Sequence, residues 1–120
     1  MVAYAGLDVG TSGTKMVVYD LKGNVLYKAE ERYKEYGGDG YREIDGNEIL
    51  DYVFRVLKNV GENCPVPVDA MAVTSLGESV VFLDKDKKSL CRSMVTGDKR
   101  GIPETERLTR EMGAQRILDI

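Results

Sequence analysis

A short run of glycines, hydroxyl side chains and charges near the start of the chain has the chemistry to bind phosphate. Asp8 can hold a hydrated magnesium ion, because Mg²⁺ in proteins keeps much of its water shell. The glycines let the backbone approach phosphate oxygens, and successive backbone N–H groups in a turn form an anion site. Lys15 can neutralise phosphate charge. The predicted ligands of a magnesium–triphosphate are Asp8, Gly10, Thr11, Ser12, Gly13, Thr14 and Lys15.

The elements on either side of this loop separate it from two familiar nucleotide-binding loops. A Walker P-loop and a Rossmann glycine loop both lead from a strand into a helix. Here Ala3–Asp8 predicts a buried strand, and the β-branched segment Lys15–Asp20 predicts a second strand. A phosphate loop between two antiparallel strands resembles that of the actin, Hsp70 and sugar-kinase superfamily. A plain β-hairpin, in which the glycines only form the turn, is the alternative.

Composition narrows the chemistry further. The chain has 120 residues, a net charge of −3 and no histidine, which excludes Ser-His-Asp and Cys-His catalysis and most catalytic zinc sites from it. The charge gives no reason to expect a nucleic-acid partner, and no apolar run is as long as a membrane span. Cys64 and Cys91 are too few for a disulfide framework. A reduced, cytoplasmic setting is therefore expected.

The first part of the chain predicts a three-stranded sheet. A turn at Leu21–Asn24 is followed by alternating residues at Val25–Tyr33, which indicate a third strand. Three strands joined by short loops form an antiparallel meander. The segment Tyr36–Tyr41 carries three glycines and is predicted to be a loop.

A helix and further elements are predicted after that loop. Asp45 caps the helix, with Glu48 three residues later, and Gly61 marks its end. The next strand, Val68–Thr74, is expected to run parallel to its neighbour, because a helix separates it from the meander. The remaining predictions are a hairpin of Ser79–Leu83 and Leu90–Val95, a helix from Pro103 to Met112 that Gly113 stops, and an amphipathic element in Gln115–Ile120. This order matches the opening of a ribonuclease H-like α/β domain.

Nearly the whole chain resembles the FGGY carbohydrate kinases, such as xylulokinases and glycerol kinases. Asp8–Lys15 is similar to that family's first phosphate motif, and Tyr41–Leu50 to the segment that leads into its first helix. Val73–Asp84 resembles the strand and hairpin that carry sugar-contacting residues. Gly97–Arg100 falls where the family usually shows Trp-x-Asp-x-Arg. The resemblance implies an actin-like ATPase fold and transfer of the γ-phosphate of ATP, with Mg²⁺, to a carbohydrate hydroxyl.

The resemblance also implies a sugar-facing set of residues. Gly77 and Glu78 would lie beside the sugar hydroxyls, with Glu78 accepting a hydrogen bond. Asp98 and Arg100 would border the same pocket or brace it. The alternatives are a solvated strand residue for Glu78 and a local ion pair for Asp98 and Arg100. On the phosphate side, the resemblance implies magnesium at Asp8 and phosphate contacts from Thr11 and Ser12, with Lys15 nearby.

Three departures from the family pattern leave the substrate open. Thr96 stands where the tryptophan is expected, and Gly77 stands where glycerol kinases carry an arginine. The Met-His pair usual in xylulokinases is missing, because the chain has no histidine. Ketose, polyol and sugar-acid kinases all remain compatible with the sequence.

The length of the chain carries a separate set of expectations. In the resembling family the catalytic aspartate and the adenosine-binding lobe lie further along the chain. Residues 1–120 are therefore expected to form one incomplete domain, the N-terminal part of the first kinase lobe, without turnover of its own. The cut is expected to expose apolar surface through which the piece forms a homodimer. Two other readings remain: an actin-like or Hsp70-like ATPase, and a non-enzymatic α/β binding domain.

Overall fold

The computed structural model describes residues 1–119 and has a mixed α/β fold. In chain order its elements are β1 (Ala3–Val9), β2 (Gly13–Asp20), β3 (Val25–Arg32), β4 (Tyr36–Gly38), β5 (Tyr41–Ile44), α1 (Gly46–Asn63), β6 (Ala70–Ser75), β7 (Ser93–Met94), α2 (Ile102–Met112) and α3 (Ala114–Leu118). Within these residues, no helix is long and apolar enough to cross a membrane.

The larger sheet contains the predicted meander. Its strand order is β3-β2-β1-β6, with antiparallel pairing through β1, β2 and β3. β6 runs parallel to β1, as predicted for a strand that follows a helical crossover. In this register Asp8 lies between Lys15 on β2 and Thr74 on β6, at the end of the sheet where the β1–β2 loop begins.

Helix α1 begins where the sequence predicts and ends later. The Asp45 side chain accepts hydrogen bonds from the backbone N–H groups of Asn47 and Glu48, which satisfies free donors of the first turn. The predicted stop at Gly61 is wrong, since the helix continues to Asn63. Gly61 does not take the positive φ of a helix-ending glycine, and the N–H of Cys64 still donates to the Val60 carbonyl.

One face of the larger sheet forms the core. The apolar face of α1 packs on β2 and β3, burying Val56 and Val60 against the sheet. Alternate residues of the first two strands face this helix and are buried: Ala3, Ala5, Leu7, Met16 and Val18. The other face of these strands is open, with Tyr4 47% exposed, and all six residues of β6 are exposed.

The glycine-rich segment predicted as a loop is instead a β-hairpin. β4 and β5 pair antiparallel across a two-residue turn of Asp39 and Gly40, where Gly40 has a φ of 81°. Asp-Gly is a strong hairpin signal, and here Gly40 supplies the positive φ of the turn. The loop prediction was wrong because the density of glycines outweighed this signal.

The second predicted hairpin forms only in part. Leu83 and Ser89 make a single bridge around a turn in which the Asp84 carboxylate accepts the N–H groups of Asp86 and Lys88. The returning strand does not continue this pairing, since β7 pairs with β5 in a separate three-stranded sheet. Helix α2 ends at Met112 and Gly113 follows with a φ of 80°, as predicted. Ile120, the last residue of the predicted final element, lies outside the described residues.

Candidate phosphate-binding site

The loop between β1 and β2 is a tight turn held from two sides. The N–H of Gly10 donates to the Gly13 carbonyl at 3.0 Å, which closes the turn. The N–H of Tyr33 donates to the Ser12 carbonyl at 3.1 Å, which ties the loop to the end of β3. The Gly10 amide is therefore used inside the loop, and the exposed Thr11 and Ser12 form its outer surface.

Gly13 is the position where the loop lies closest to β3. A Cβ built on Gly13 would lie 2.5 Å from the Glu31 carbonyl oxygen, closer than real Cβ atoms approach a backbone atom. Glycine is required here for close approach, and its φ is not positive.

The predicted phosphate ligands surround one open cleft. The cleft has a volume of about 350 Å³ and is lined by Asp8, Gly10, Thr11, Ser12, Gly13, Thr14, Lys15, Glu30, Glu31 and Arg32. All seven predicted ligands are in this set. Lys15 is exposed, so its amine can reach a ligand in the cleft.

The hydroxyl of Thr14 does not have the surroundings of a phosphate donor. Thr14 is 1% exposed, and its Oγ1 donates to the main-chain oxygen of Asp8 at 3.1 Å. The alternation of β2 turns this side chain towards the core. Its contact holds the β1–β2 junction beneath the carboxylate of Asp8, whereas Thr11 and Ser12 face solvent.

Three residues of β3 line the cleft and were missed by the sequence reasoning. The antiparallel register sets Arg32 opposite Gly13, Glu31 opposite Thr14, and Glu30 opposite Lys15. The signal was available in the predicted meander, because pairing β3 with β2 brings its end beside the loop. Within residues 1–119, Lys15 and Arg32 make no ion pair, so both cations can meet an anion.

The carboxylate of Glu30, on the edge strand β3, already forms an ion pair. Lys28 lies 2.6 Å from Glu30, and its hydrogen bond, followed by its charge, lowers the pKa of Glu30. Glu30 therefore remains an anion beside the cleft and offsets part of the charge of Lys15. The cleft carries two cations and three carboxylates, so a divalent ion would make it more favourable for phosphate.

The donor set fits magnesium bound mainly by water and phosphate. In the part of the chain that the structure describes, no three His, Cys, Asp or Glu side chains form a metal-ligating group. Mg²⁺ usually binds through one or two carboxylates, water and substrate phosphates. Asp8, at the strand end beside Gly10, is a single carboxylate of this kind.

Two of the four predicted sugar-facing residues, Glu78 and Asp98, line a second cleft. It has a volume of about 340 Å³ and is lined by Glu78, Met94, Val95, Thr96, Gly97, Asp98 and Gly101. Thr96 Oγ1 donates to Glu78 Oε2 at 2.5 Å, which fixes one oxygen of that carboxylate. Gly77 and Arg100 do not line this cleft, and a Cβ at Gly77 would have no neighbour within 4 Å.

Asp98 and Arg100 form a local ion pair, which was the alternative to a sugar-binding role for these two residues. Arg100 Nη2 lies 2.6 Å from Asp98 Oδ2 and 2.7 Å from Glu43 Oε1, and the N–H of Arg42 donates to Asp98 at 2.9 Å. The hydrogen bond from Arg100 holds the pKa of Asp98 well below its usual range. These contacts brace the loop after β7 against β5.

Comparison with known proteins identifies the family of this chain. The N-terminal domain of the FGGY family of carbohydrate kinases matches residues 3–120. The chain belongs to this family. It is 30% identical over 109 residues to the glycerol kinase of Thermococcus onnurineus (strain NA1), an alignment that covers 88% of this chain and 22% of that enzyme. This FGGY chain thus spans about a fifth of the length of that curated relative.

Two solved structures share the fold of this FGGY chain. The ligand-bound xylulose kinase from Lactobacillus acidophilus matches with a TM-score of 0.87 and 24% identity, covering 98% of this chain and 24% of that one. The Plasmodium falciparum glycerol kinase with ADP matches with a TM-score of 0.80 and 20% identity, covering 92% and 23%. These matches confirm the predicted actin-like, ribonuclease H-like fold class.

Proposed function

We propose that this chain forms the N-terminal part of an ATP-dependent carbohydrate kinase that transfers the γ-phosphate of ATP to a sugar or polyol hydroxyl. The observation that carries the proposal is the single cleft at the end of β1 and β2. There three carboxylates, exposed hydroxyls and two cations that make no ion pair within residues 1–119 surround a turn whose glycine packs against β3. Family membership adds the class of reaction. Residues 1–120 are then one incomplete domain, the opening of the first kinase lobe.

Phosphoryl transfer depends mainly on positioning and on neutralising charge. In the proposed enzyme Asp8 holds a hydrated Mg²⁺, and Lys15 and Arg32 approach phosphate oxygens from the β2 and β3 sides. Thr11 and Ser12 donate from the outer surface of the loop. When bound, the magnesium ion supplies further neutralisation of the phosphate charge. The residue that accepts the sugar proton is not assigned among residues 1–120.

The second cleft is the proposed sugar side. Thr96 occupies Glu78 Oε2, which leaves Glu78 Oε1 to accept a hydrogen bond from a substrate hydroxyl. Asp98 borders the cleft while its ion pair with Arg100 holds the loop in place. The open surroundings of Gly77 leave room for substrate beside Glu78. No residue lines both clefts, so a substrate between them needs other parts of the enzyme to complete its site.

The substrate is proposed as a small carbohydrate and the cofactors as ATP and Mg²⁺. The similar proteins include a glycerol kinase, a xylulose kinase and a glycerol kinase with ADP. A xylulokinase-like activity is preferred, because Gly77 stands where glycerol kinases carry an arginine. The proposed setting of the enzyme is the reduced cytoplasm. Cys64 and Cys91, which are both free thiols, agree with that setting.

The test is an assay of ADP release from Mg-ATP by the protein encoded by the gene extended to its native stop codon. A panel of ketoses, polyols and sugar acids should yield one class that stimulates release. Asp8→Asn should reduce the stimulated rate at least about tenfold, the loss of one charge-assisted contact of about 1.4 kcal/mol or more. Asp51→Asn, an exposed carboxylate on α1, is the matched control and should retain the rate.

The same assay, together with a measurement of phosphate binding, separates the two alternative functions. ATP turnover that no sugar stimulates would favour an actin-like or Hsp70-like ATPase. A well-folded protein without phosphate binding would favour a binding domain.

The 120-residue chain alone is predicted to have no turnover, and sugar-dependent ADP release from it would contradict that prediction.

A further inference from the structure

The phenol of Tyr33 is buried beneath the phosphate loop. Tyr33 is 8% exposed, and within residues 1–119 its hydroxyl has no hydrogen bond of standard geometry. Its ring packs on the ring of Tyr52 from α1, with centroids 5.6 Å apart. Its N–H donates to Ser12 at 3.1 Å, so its backbone and its ring connect the loop to the helix.

The polar groups that act on this hydroxyl belong to the site. Burial raises the pKa of Tyr33, the nearby Thr14 side chain lowers it in part, and the negative charge of Asp8 raises it. An ordinary tyrosine phenol is protonated at about neutral pH, so this hydroxyl is a donor without any shift. Thr14 Oγ1 gives its own proton to the Asp8 carbonyl, so its lone pairs are available to accept one.

We propose that Tyr33 is a positioning residue for the metal-bound phosphates, whose hydroxyl donates to Thr14 and so fixes Asp8 when the loop is loaded. This inference rests on the proposed kinase function. A buried hydroxyl without a partner is unfavourable, and phenylalanine would fill the same space without that cost. The hydroxyl is thus explained by a state in which it is bonded. The proposed contacts run from the Tyr33 hydroxyl to Thr14 Oγ1 and on to the main-chain oxygen of Asp8, the residue whose carboxylate holds magnesium.

The experiment uses the full-length enzyme and the variant Tyr33→Phe. The Mg²⁺ concentration for half-maximal rate should rise about two- to tenfold, the range expected for one hydrogen bond, while KM for the sugar stays unchanged. The Mg²⁺ concentration that gives half of the ADP-induced thermal shift should rise by a similar factor. The melting temperature without ligand should stay the same or increase, because a buried polar group is removed.

Tyr52→Phe is the matched control. It removes a hydroxyl from the neighbouring ring and should leave the Mg²⁺ dependence unchanged. Thr14→Val should raise the same Mg²⁺ concentration, and its combination with Tyr33→Phe should be no worse than Thr14→Val alone, since both act through one chain of contacts.

Failure of this inference differs from failure of the proposed function. If the wild-type enzyme shows sugar-stimulated ADP release and Tyr33→Phe only raises the melting temperature, with wild-type Mg²⁺ dependence, the positioning role is wrong. Additive effects of Thr14→Val and Tyr33→Phe would contradict the route through Thr14. If the wild-type protein shows no such release with any sugar, the proposed function fails first.

Discussion

Gly13 sets how closely the phosphate loop can approach β3. Its hydrogen atom faces the Glu31 carbonyl at a distance where no side chain fits. The contact brings Arg32 beside the loop, so the second cation of the cleft depends on it. A single residue without a side chain thus joins the geometry of the anion site to the register of the sheet.

Gly13→Ala is expected to destabilise the chain by about 1–3 kcal/mol, because the added methyl group must displace a backbone oxygen. Urea denaturation measures this free energy of unfolding. Gly61→Ala is the control, since its Cβ would meet no atom within 4 Å and the site is helical. That substitution should stabilise the chain by up to about 1 kcal/mol. Equal effects of the two variants would show that the close contact is unimportant.

The ion pair of Asp98 predicts a pH dependence. The pKa of Asp98 is lower in the folded chain than in the unfolded one, so the pair stabilises the fold above about pH 4. That contribution is lost as the pH falls from about 4 towards the folded-state pKa. Asp98→Asn should be less stable than wild type at about pH 7, and its stability should fall less steeply below about pH 4. Urea denaturation across this range tests it, with Asp51→Asn as a control that keeps the wild-type slope.

At the scale of elements, the sequence correctly predicted the features that depend on contacts between residues close together in the chain. The meander, the cap of α1 at Asp45 and the end of α2 at Gly113 depend on nearby residues, and all three are confirmed. β7 pairs with β5, a partner chosen by tertiary packing, so the predicted pairing with Ser79–Leu83 was incomplete. Glu48 also departs from a capping box, because its Oε1 accepts the Tyr36 hydroxyl at 2.6 Å instead of reaching back to Asp45.

Asp45→Ala is expected to cost about 0.5–2 kcal/mol, because the first turn of α1 loses its side-chain cap. The loss should appear as a lower urea midpoint with an unchanged slope. Asp51→Ala, on an exposed position of the same helix, should change stability by less than about 0.5 kcal/mol. A cap that contributes nothing would make the two variants alike.

At the scale of the whole molecule, the larger sheet is covered on one face and open on the other. α1 shields β2 and β3, while β6 lies at the sheet edge with Met71 43% and Val73 59% exposed. β6 carries no charged side chain, whereas β3 at the opposite edge carries four, Lys28, Glu30, Glu31 and Arg32. Charged side chains protect an edge from pairing with another chain, so β6 is the less protected edge.

The isolated 120-residue chain is therefore predicted to self-associate through β6. Light scattering over a concentration series should show a mass that rises towards that of a dimer. Val73→Lys should shift the chain to monomer, because it places a charge on the unprotected edge. Val25→Lys is matched in exposure, at 59%, and should leave association unchanged. A monomer at every concentration would contradict the prediction.

The site was predictable from the sequence as far as it is local. The seven predicted ligands all lie within the eight residues 8–15, so one turn brings them to one cleft. Arg32 joins the site through the register of β3, which the predicted meander already indicated. The burial of the Tyr33 hydroxyl depends on tertiary packing, which residue types do not reveal. The contact between Thr96 and Glu78 likewise spans two segments that the fold brings together.

The parallel pairing of β6 with β1 also determines the order in which a nascent chain can fold. β1, β2 and β3 leave the ribosome in succession and close through short turns, whereas the partner of β1 arrives only after α1. Short loops close at low entropic cost, so the meander forms first. Until Asp69 reaches Ala3, where backbone and carboxylate hydrogen bonds of 2.9 and 2.8 Å join them, the newly made β1 has an unpaired side. During synthesis that edge is the one open to mispairing with neighbouring chains.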